Sequence, residues 1–488
     1  MTVIVASCTL KQLFEGQPVR ASDGSLISGH LAIPEYQRPY RWNGAQIGRL
    51  LKDYQAYTED LTEGDAKYAY YLGSVILHQA EKRDQLNIID GQQRLTTFAL
   101  IEYLKRNQEG QQFDLGMIYH SPESQIQIKQ NFSWLKENAL DQLKNIDPNS
   151  VSLTLVVTRS EDDAYRFFET QNTGGVRLSG PDIIKAHHLR VLSRDQQNKF
   201  ASKWEEMGDL NPIVTSLIKG RYWQTFLARK VPSHRQPQSV RSAVVDELGD
   251  GTGRGADIAY GRVVRENRAD GAQLLAQAQQ GYELRQPLNA GVNTIHYLAY
   301  FEGLRATYLK SPNANLAEIG SKHKEIDNFY HFYQSFVCHL EGCSYLKGLY
   351  DTCLLLYISQ FGEKDLFLAA KKLFHVVYSP RVSNQKAVRE ASISAFIRET
   401  PVLDWIAVSY TSKTLFEYLD NFTLEVDPAN LGPEHSGVKK KFVLTVLEYF
   451  GKTVPKNTEA QDLADVFLDT MNRRIVQNLS SGGRVNVI

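Results

Sequence analysis

The sequence predicts an α+β protein whose first half mixes short strands with helices and whose second half is mostly α-helical. Four short runs in the first half are apolar and rich in β-branched or aromatic residues, which is typical of strands. They lie at 30–34, 70–78, 86–89 and 150–158. Beyond residue 293 nearly every segment has the spacing of a helix, so we predict an α-helical domain there.

The helices follow from the spacing of the apolar residues. Ile47, Leu50 and Leu51 fall on one face of a helix over 43–57, and the run over 95–104 is apolar enough to be buried on most sides. Two further helices are predicted on either side of a glycine turn, at 162–171 and 181–192. In the second half, helices are predicted at 329–340, 345–361, 365–378, 388–398 and 461–479.

The length and the glycine distribution predict three parts. The 488 residues suffice for two to four domains, because a domain typically has about 100 to 200 residues. Between 232 and 291 the chain becomes polar and glycine-rich, which favours a loop-rich connector with one polar helix at 273–282. We therefore predict an N-terminal domain over 1–195, a helical connector with a glycine-rich insertion over 196–291, and an α-helical domain over 292–488.

The composition excludes several classes of protein. Lys and Arg number 55, as do Asp and Glu, so the chain is formally neutral and is not expected to bind nucleic acid over its whole surface. No run of about 18 apolar residues is present, and the N-terminus lacks the basic region of a signal peptide. Four cysteines do not make a disulfide framework in so long a chain. We expect a cytoplasmic protein that does not associate with membranes.

The most informative stretch, Asp90-Gly91-Gln92-Gln93-Arg94, joins a predicted strand directly to a predicted helix. The start of a helix exposes unpaired backbone N–H groups and suits a phosphate. Gly91 lets a ligand approach the backbone, and Arg94 supplies a planar, permanently charged donor. Gln92 and Gln93 could orient a water molecule or bind phosphate oxygens, and Asp90 could hold Mg²⁺ or position a hydroxyl. The alternative is a capping box formed by Asp90 and Gln93, which needs no ligand.

Two other clusters of polar and aromatic residues accompany this stretch. In the 33–42 segment two arginines and Gln37 lie among the aromatic residues Tyr36, Tyr40 and Trp42. Arginine can bind phosphate and aromatic rings can stack on bases, but an extended edge segment with core-filling aromatics would look the same. In the 167–185 segment Asn172 and Lys185 could face a ligand, or could be a helix cap and an exposed lysine.

Together these three segments resemble the N-terminal domain of the GmrSD family, bacterial restriction proteins that depend on DNA modification. The resemblance rests on I-P-x-Y-Q-R-P-Y-x-W at 33–42, on I-I-D-G-Q-Q-R-L-T-T at 88–97 and on F-F-E-x-x-N-T-G-G-x-x-L-S-x-x-D-I-I-K at 167–185. It covers roughly the first 190 residues. The helical second half is compatible with the family but is not diagnostic of it.

The resemblance implies a ParB/sulfiredoxin-like N-terminal domain that binds and hydrolyses a nucleoside triphosphate, GTP or another, with Mg²⁺. The implied residues fall into three groups. They are catalytic residues Asp90, Gln92, Gln93 and Arg94; nucleotide-binding residues Gly91, Gln37, Arg38, Asn172 and Lys185; and DNA- or modification-sensing residues Tyr36, Tyr40 and Trp42. The implied function is an anti-phage restriction component that recognises modified or foreign DNA. The alternatives are a ParB-like nucleotide-dependent DNA clamp with little hydrolysis, or a regulatory module without nucleotide.

The sequence departs from many family members at its C-terminal end. They carry an HNH-type nuclease domain marked by His-Ile-x-Pro, whereas the nearest match here, Pro433-Glu434-His435-Ser436-Gly437-Val438, lacks both the isoleucine and the proline after its histidine. A separate HNH nuclease subunit is therefore an expected partner, besides DNA and a second copy of the chain. No metal site is predicted from the cysteines and histidines. The basic runs at 439–441 and 473–474 are the best candidates for DNA phosphate contacts in the second half.

Overall fold

A computed structural model of the chain divides into two compact units, residues 1–208 and residues 209–488. The structure describes residues 3–62, 69–79, 84–160, 163, 180–223, 248, 257–266, 275–310, 324–383 and 388–477. The turn that carries Asn172 lies outside the described residues, as does nearly all of the predicted helix over 162–171. The α+β class is confirmed, because the first unit contains a mixed sheet and the second is mainly helical. The division into three domains stays a prediction.

The strands of the first unit include the four predicted from the sequence. They are β1 Val3–Thr9, β2 Val19–Arg20, β3 Leu26–Ile27, β4 His30–Ala32, β5 Tyr70–His78, β6 Gln85–Asp90 and β7 Val151–Thr158. Five of them form one sheet in the order β1-β7-β5-β6-β4. The pairs β1–β7 and β5–β6 are antiparallel, whereas β7–β5 and β6–β4 are parallel. Strand β1 was not predicted from the sequence, although its residues alternate between buried and exposed positions as those of a half-buried strand do.

The first unit also contains helices, and the first five of them contribute buried residues to the core of this sheet. The helices are α1 Leu10–Phe14, α2 Gly44–Thr62, α3 Gln92–Gln108, α4 Pro122–Asn138, α5 Leu140–Leu143, α6 Gly180–Val191 and α7 Arg194–Glu206. Leu95, Phe98 and Ile101 of α3 are fully buried in the same core as Val75 of β5 and Leu155 of β7. Burial of apolar side chains of this size stabilises a fold by about 1.5–3 kcal/mol each. The core thereby holds the N-terminus of α3 against the middle of the sheet.

The second unit consists mainly of helices. Its first elements are α8 Asn211–Tyr222, the hairpin β8 Tyr260–Glu266 and β9 Leu275–Gly281, α9 Val292–Tyr308 and α10 Lys324–Tyr330. A π-helix His331–Phe336 and a 3-10 helix Val337–His339 follow α10 and complete the helix predicted over 329–340. The remaining elements are α11 Ser344–Phe361, α12 Leu366–Val377, α13 Pro380–Ser383, α14 Glu390–Glu399, α15 Val402–Val408, α16 Ser412–Asp420, α17 Val438–Tyr449, α18 Ala460–Met471 and a π-helix Asn472–Val476.

One predicted helix is wrong. The segment over 273–282 was predicted to be a polar helix, but it contains β9, which pairs antiparallel with β8 from Leu275 opposite Glu266 to Gly281 opposite Tyr260. Alanine and glutamine favour helices only weakly. A neighbouring strand that carries Val263 and Val264 supplies the hydrogen bonds that override this preference.

None of the helices that the structure describes is both long enough and apolar enough to span a membrane.

The four cysteines are free thiols that differ in exposure. Cys8, Cys343 and Cys353 are buried, and Cys338 is exposed. Burial raises the pKa of Cys8 to about 12, so this thiol stays protonated and unreactive at neutral pH. We expect iodoacetamide at pH 8 to label only Cys338 in the native protein, which intact-mass measurement would show as one adduct. Labelling of two or more thiols without denaturant would contradict the burial seen here.

Candidate functional site

The turn at Gly91 joins the end of β6 directly to the start of α3. Gly91 has φ 94°, a left-handed conformation that favours glycine. A Cβ atom at this position would also lie 2.9 Å from Cγ2 of Val75 on the neighbouring strand. The capping box of Asp90 and Gln93 is wrong, because Gly91 is the cap residue and no side chain caps the helix. The turn depends on a close approach of β6 to β5, which the spacing of Asp90 and Gln93 did not reveal.

Arg94 lies against the protein's own backbone. Its guanidinium donates to the carbonyl oxygens of Leu72 (2.9 Å) and Ser74 (2.8 Å), and one nitrogen lies 3.4 Å from a carboxylate oxygen of Asp90. The pairing of β5 with β7 shifts at this place, and Gly73 has φ 106° there. A Cβ atom at position 73 would collide with Arg94. Arg94 therefore holds a bulge of β5 in place. Both of its terminal nitrogens form hydrogen bonds with groups of the protein itself.

Gln93 and Gln37 fasten the 33–42 segment to the sheet and to α3. The buried Gln93 side chain accepts hydrogen bonds from the backbone N–H groups of Arg41 (2.8 Å) and Trp42 (3.1 Å) and donates to the carbonyl of Pro39 (3.2 Å). The amide of Gln37 donates to the carbonyl oxygens at the end of β6, those of residues 88 and 89, at 3.0 and 2.8 Å. The side-chain amides of both glutamines thus form hydrogen bonds with backbone groups and so fix the conformation of the 33–42 segment.

Arg38 projects from this fixed segment into a cleft of about 190 Å³, which we call the Arg38 cleft. The predicted site residues Gln37, Gln92 and Lys185 line it as well. Its other polar side chains come from the 33–42 segment, from residues before and at the start of α4, and from the end of α7: Glu35, Tyr119, His120, Ser121, Ser124, Ser202, Glu205 and Glu206. Asp90, Gly91, Gln93 and Arg94 do not line the cleft. Three of the five predicted nucleotide-binding residues, Gln37, Arg38 and Lys185, thus meet in one place, whereas Gly91 and three of the four predicted catalytic residues lie outside it.

Two polar groups in the Arg38 cleft, one partly buried and one buried, have no partner among the residues that the structure describes. The guanidinium of Arg38 forms no hydrogen bond or ion pair there. Burial lowers its pKa, and the carboxylates of Asp182 and Asp90 act in the opposite direction. The second group is the side-chain oxygen of Gln92, which is buried and accepts no hydrogen bond within the described ranges. A buried acceptor without a protein donor is rare in native proteins, and this oxygen is free to accept a hydrogen bond from a ligand or a water molecule.

Most of the other ionisable groups of the cleft are paired, and the exception is the exposed Glu206, which has no ion pair among the described residues. The ammonium of Lys185 lies 2.6 Å from Oε1 of Glu205 and donates to the carbonyl of Gln37 at 3.2 Å. Ser121 donates to the second carboxylate oxygen of Glu205 at 3.2 Å. His120 lies 3.3 Å from the carboxylate of Glu35 at the more exposed side of the cleft. The cleft therefore combines one unpaired arginine with a lysine that a carboxylate already holds.

The aromatic residues of the 33–42 segment are placed inside the protein. Tyr40 is fully buried, and its hydroxyl lies 2.8 Å from that of Thr97 and accepts from Asn131 at 3.1 Å. Burial raises the pKa of Tyr40. Tyr36 is buried too, and Trp42 packs against the core with part of its side chain exposed. In this conformation a DNA duplex cannot reach Tyr36 or Tyr40, so the interpretation of core-filling aromatics agrees with the structure at both positions.

Three residues of the Arg38 cleft were not predicted from the sequence. Glu205, Ser121 and His120 belong to no motif, and each lies far along the chain from Arg38. Glu205 follows Lys185 by twenty residues, on the next helix. Nothing in their spacing distinguishes them from other surface residues, because only the packing of α6 and α7 beside the segment before α4 brings them together.

The basic run over 439–441 is corrected by the structure. Lys439 and Lys440 are buried and donate to the carbonyl oxygens of Asp427 (2.6 Å) and Gly432 (2.8 Å). Only Lys441 is exposed, 3.4 Å from Glu341. The expected phosphate contacts are therefore wrong for the first two lysines, whose charges stabilise the loop before α17. No group of three or more metal-binding side chains was found in the part of the chain that the structure describes, at His435 or elsewhere.

Two family descriptions match parts of this chain. Residues 22–189 match the family described as GmrSD restriction endonuclease, N-terminal domain, and this range includes all three motifs. Residues 196–432 match a family of unknown function, DUF7834. No curated protein matches the chain. Residues 22–189 are therefore a domain of the GmrSD N-terminal family.

Proposed function

We propose that this chain is the nucleotide-binding and hydrolysing component of a restriction system, and that the phosphates of a nucleoside triphosphate bind beside Arg38. The observation that carries the proposal is the partly buried guanidinium of Arg38, which has no ion pair or hydrogen bond among the described residues, in a cleft that also contains the unpartnered oxygen of Gln92. Arginine binds phosphate through a planar fork of donors, and such charge-assisted hydrogen bonds are strong where water is excluded. The family assignment supplies the restriction context.

Gln92 is the residue that we propose acts on the attacking water. Its side-chain oxygen can accept a hydrogen bond from a water molecule and so direct the water oxygen toward the terminal phosphorus. In the reaction the new bond forms between that oxygen and phosphorus, the bond to the bridging oxygen breaks, and the products are a nucleoside diphosphate and inorganic phosphate. Gln37 and Gln93 do not take part directly. They hold the segment that carries Arg38.

Mg²⁺ fits the donors of this cleft better than it fits Asp90. Mg²⁺ is usually held by one or two carboxylates together with substrate phosphates. Glu35 lines the cleft, whereas Asp90 is paired with Arg94 outside it. We propose that Glu35 would hold Mg²⁺, which neutralises phosphate charge when it is bound.

Substitution of Gln92 tests the assigned role. We expect Gln92→Leu to lower the turnover of GTP or ATP by about 100-fold and to change nucleotide affinity by less than about 3-fold, because a water-orienting contact acts mainly on the reaction step. Phosphate release and isothermal calorimetry, with modified and unmodified DNA, would measure the two quantities. Gln112→Leu is the matched control, since Gln112 is exposed and lies outside the cleft. Absence of nucleotide binding by the wild-type protein under all these conditions would overturn the proposed function.

A second candidate is a nucleotide-dependent DNA clamp with little hydrolysis. It is favoured by the placement of Asp90, Gln93 and Arg94, which are engaged with the protein itself rather than with the cleft. Nucleotide-dependent dimerisation in light scattering, without phosphate release, would support this candidate. A separate nuclease subunit remains part of both proposals, and DNA cleavage by the purified chain alone would contradict it.

A further inference from the structure

We propose that Glu205 competes with nucleotide phosphate for Lys185 and thereby sets the affinity and the selectivity of the Arg38 cleft. The proposal rests on the proposed function, because it concerns the same cleft. Glu205 and Lys185 form an ion pair of 2.6 Å in which the lysine side chain is only 3% exposed and the glutamate side chain 15% exposed. Neither the first unit's motifs nor the family descriptions assign a role to Glu205.

The two cations of the cleft differ in their partners. Arg38 has no partner among the described residues, whereas Lys185 is held by Glu205 and by the carbonyl of Gln37. A buried ammonium requires a counter-ion, and a phosphate can replace the carboxylate in that role. Lys185 is therefore available to a phosphate only when its contact with Glu205 is released or shared.

Glu205 has a second partner besides Lys185. Ser121 donates to Oε2 of Glu205 at 3.2 Å, while Lys185 contacts Oε1. When a phosphate takes the ammonium, the hydroxyl still satisfies the carboxylate. The exchange therefore does not leave a buried carboxylate without a hydrogen bond, which would be the main cost of such a step.

The competition has a consequence for the class of ligand. A phosphate that enters the cleft is repelled by the carboxylate of Glu205, and like charges in a partly buried site interact strongly. A triphosphate makes enough contacts with Arg38 and Mg²⁺ to offset this repulsion, whereas a single phosphate does not. We therefore infer that Glu205 selects nucleoside triphosphates against inorganic phosphate and nucleoside monophosphates.

Neutralising Glu205 tests the inference in the full-length chain. We expect Glu205→Gln to bind GTP or ATP about 10-fold more tightly than the wild type and to bind GMP or AMP measurably. Lys185→Met is expected to weaken triphosphate binding, and the double variant should behave like Lys185→Met because the gain acts through the lysine. Glu206→Gln is the matched control, since it removes one negative charge from the same cleft without a lysine partner, and we expect less than a 3-fold change.

Thermal melting separates this effect from a loss of folding. Glu205→Gln should melt at a lower temperature without nucleotide and show a larger nucleotide-induced rise than the wild type. Glu205→Asp, which withdraws the carboxylate by one methylene, should give an intermediate gain if Glu205→Gln does not fold. Unchanged or weaker triphosphate binding by folded Glu205 variants would overturn the inference and leave the proposed function standing. Failure of the wild type to bind any nucleotide would remove both.

Discussion

Replacement of Arg38 by alanine is expected to weaken the binding of nucleoside triphosphates by about 100-fold and to leave the stability of the protein unchanged. A hydrogen bond to a charged group is worth about 1.5–3 kcal/mol, and about 1.4 kcal/mol corresponds to a factor of ten in affinity. No ion pair or hydrogen bond within the described residues is lost, because the guanidinium forms none there. Its burial already disfavours the charge. Calorimetric titration and thermal melting would measure the two effects.

Two further variants sharpen this prediction. Arg38→Lys keeps the charge but lacks the planar fork of donors, so we expect an intermediate loss of affinity. Arg49→Ala is the matched control, since Arg49 is exposed, forms no ion pair among the described residues and lies outside the Arg38 cleft. An Arg38→Ala protein that folds normally and binds nucleotide like the wild type would show that the phosphates bind elsewhere.

Replacement of Arg94 by methionine is expected to act through stability instead. Methionine fills similar space but donates no hydrogen bond, so the carbonyl oxygens of Leu72 and Ser74 lose their donors and Asp90 loses its cation. We expect the loss of these contacts to lower the free energy of unfolding of the first unit by roughly 2–4 kcal/mol, a range that allows for the partial exposure of Arg94 to water. Hydrogen exchange of peptides from β5 should rise most, which mass spectrometry would detect.

The same variant distinguishes a structural role from a catalytic one. The Arg94→Met protein that remains folded at low temperature should still bind nucleotide, because Arg94 does not line the Arg38 cleft. A variant that melts like the wild type but binds no nucleotide would contradict this assignment. It would return Arg94 to the phosphate-binding role implied by the resemblance. Arg38→Ala and Arg94→Met thus predict opposite combinations of affinity and stability.

Much of the first unit's secondary structure could be predicted because its signals are local. The strands β5, β6 and β7 are short apolar runs, and the predicted bounds 70–78 and 150–158 agree with Tyr70–His78 and Val151–Thr158. The order of these strands in the sheet was not predicted, since pairing joins residues far apart in sequence. The hairpin of β8 and β9 was missed for the same reason, because its pairing partner overrides the local preference for a helix.

The sequence alone predicted that a turn with Gly91 joins a strand to a helix, and the family resemblance implied that the 33–42 segment lies at the same pocket or at a DNA-sensing surface. Only the tertiary structure decided what each side chain of the turn contacts. Successive residues of a helix point about 100° apart, so Gln92, Gln93 and Arg94 face three directions. Gln92 faces the Arg38 cleft, Gln93 the backbone of the 33–42 segment, and Arg94 the bulge in β5. The side chains of these three adjacent residues therefore do not converge on one place, and residues of α6 and α7 line the Arg38 cleft together with Gln92.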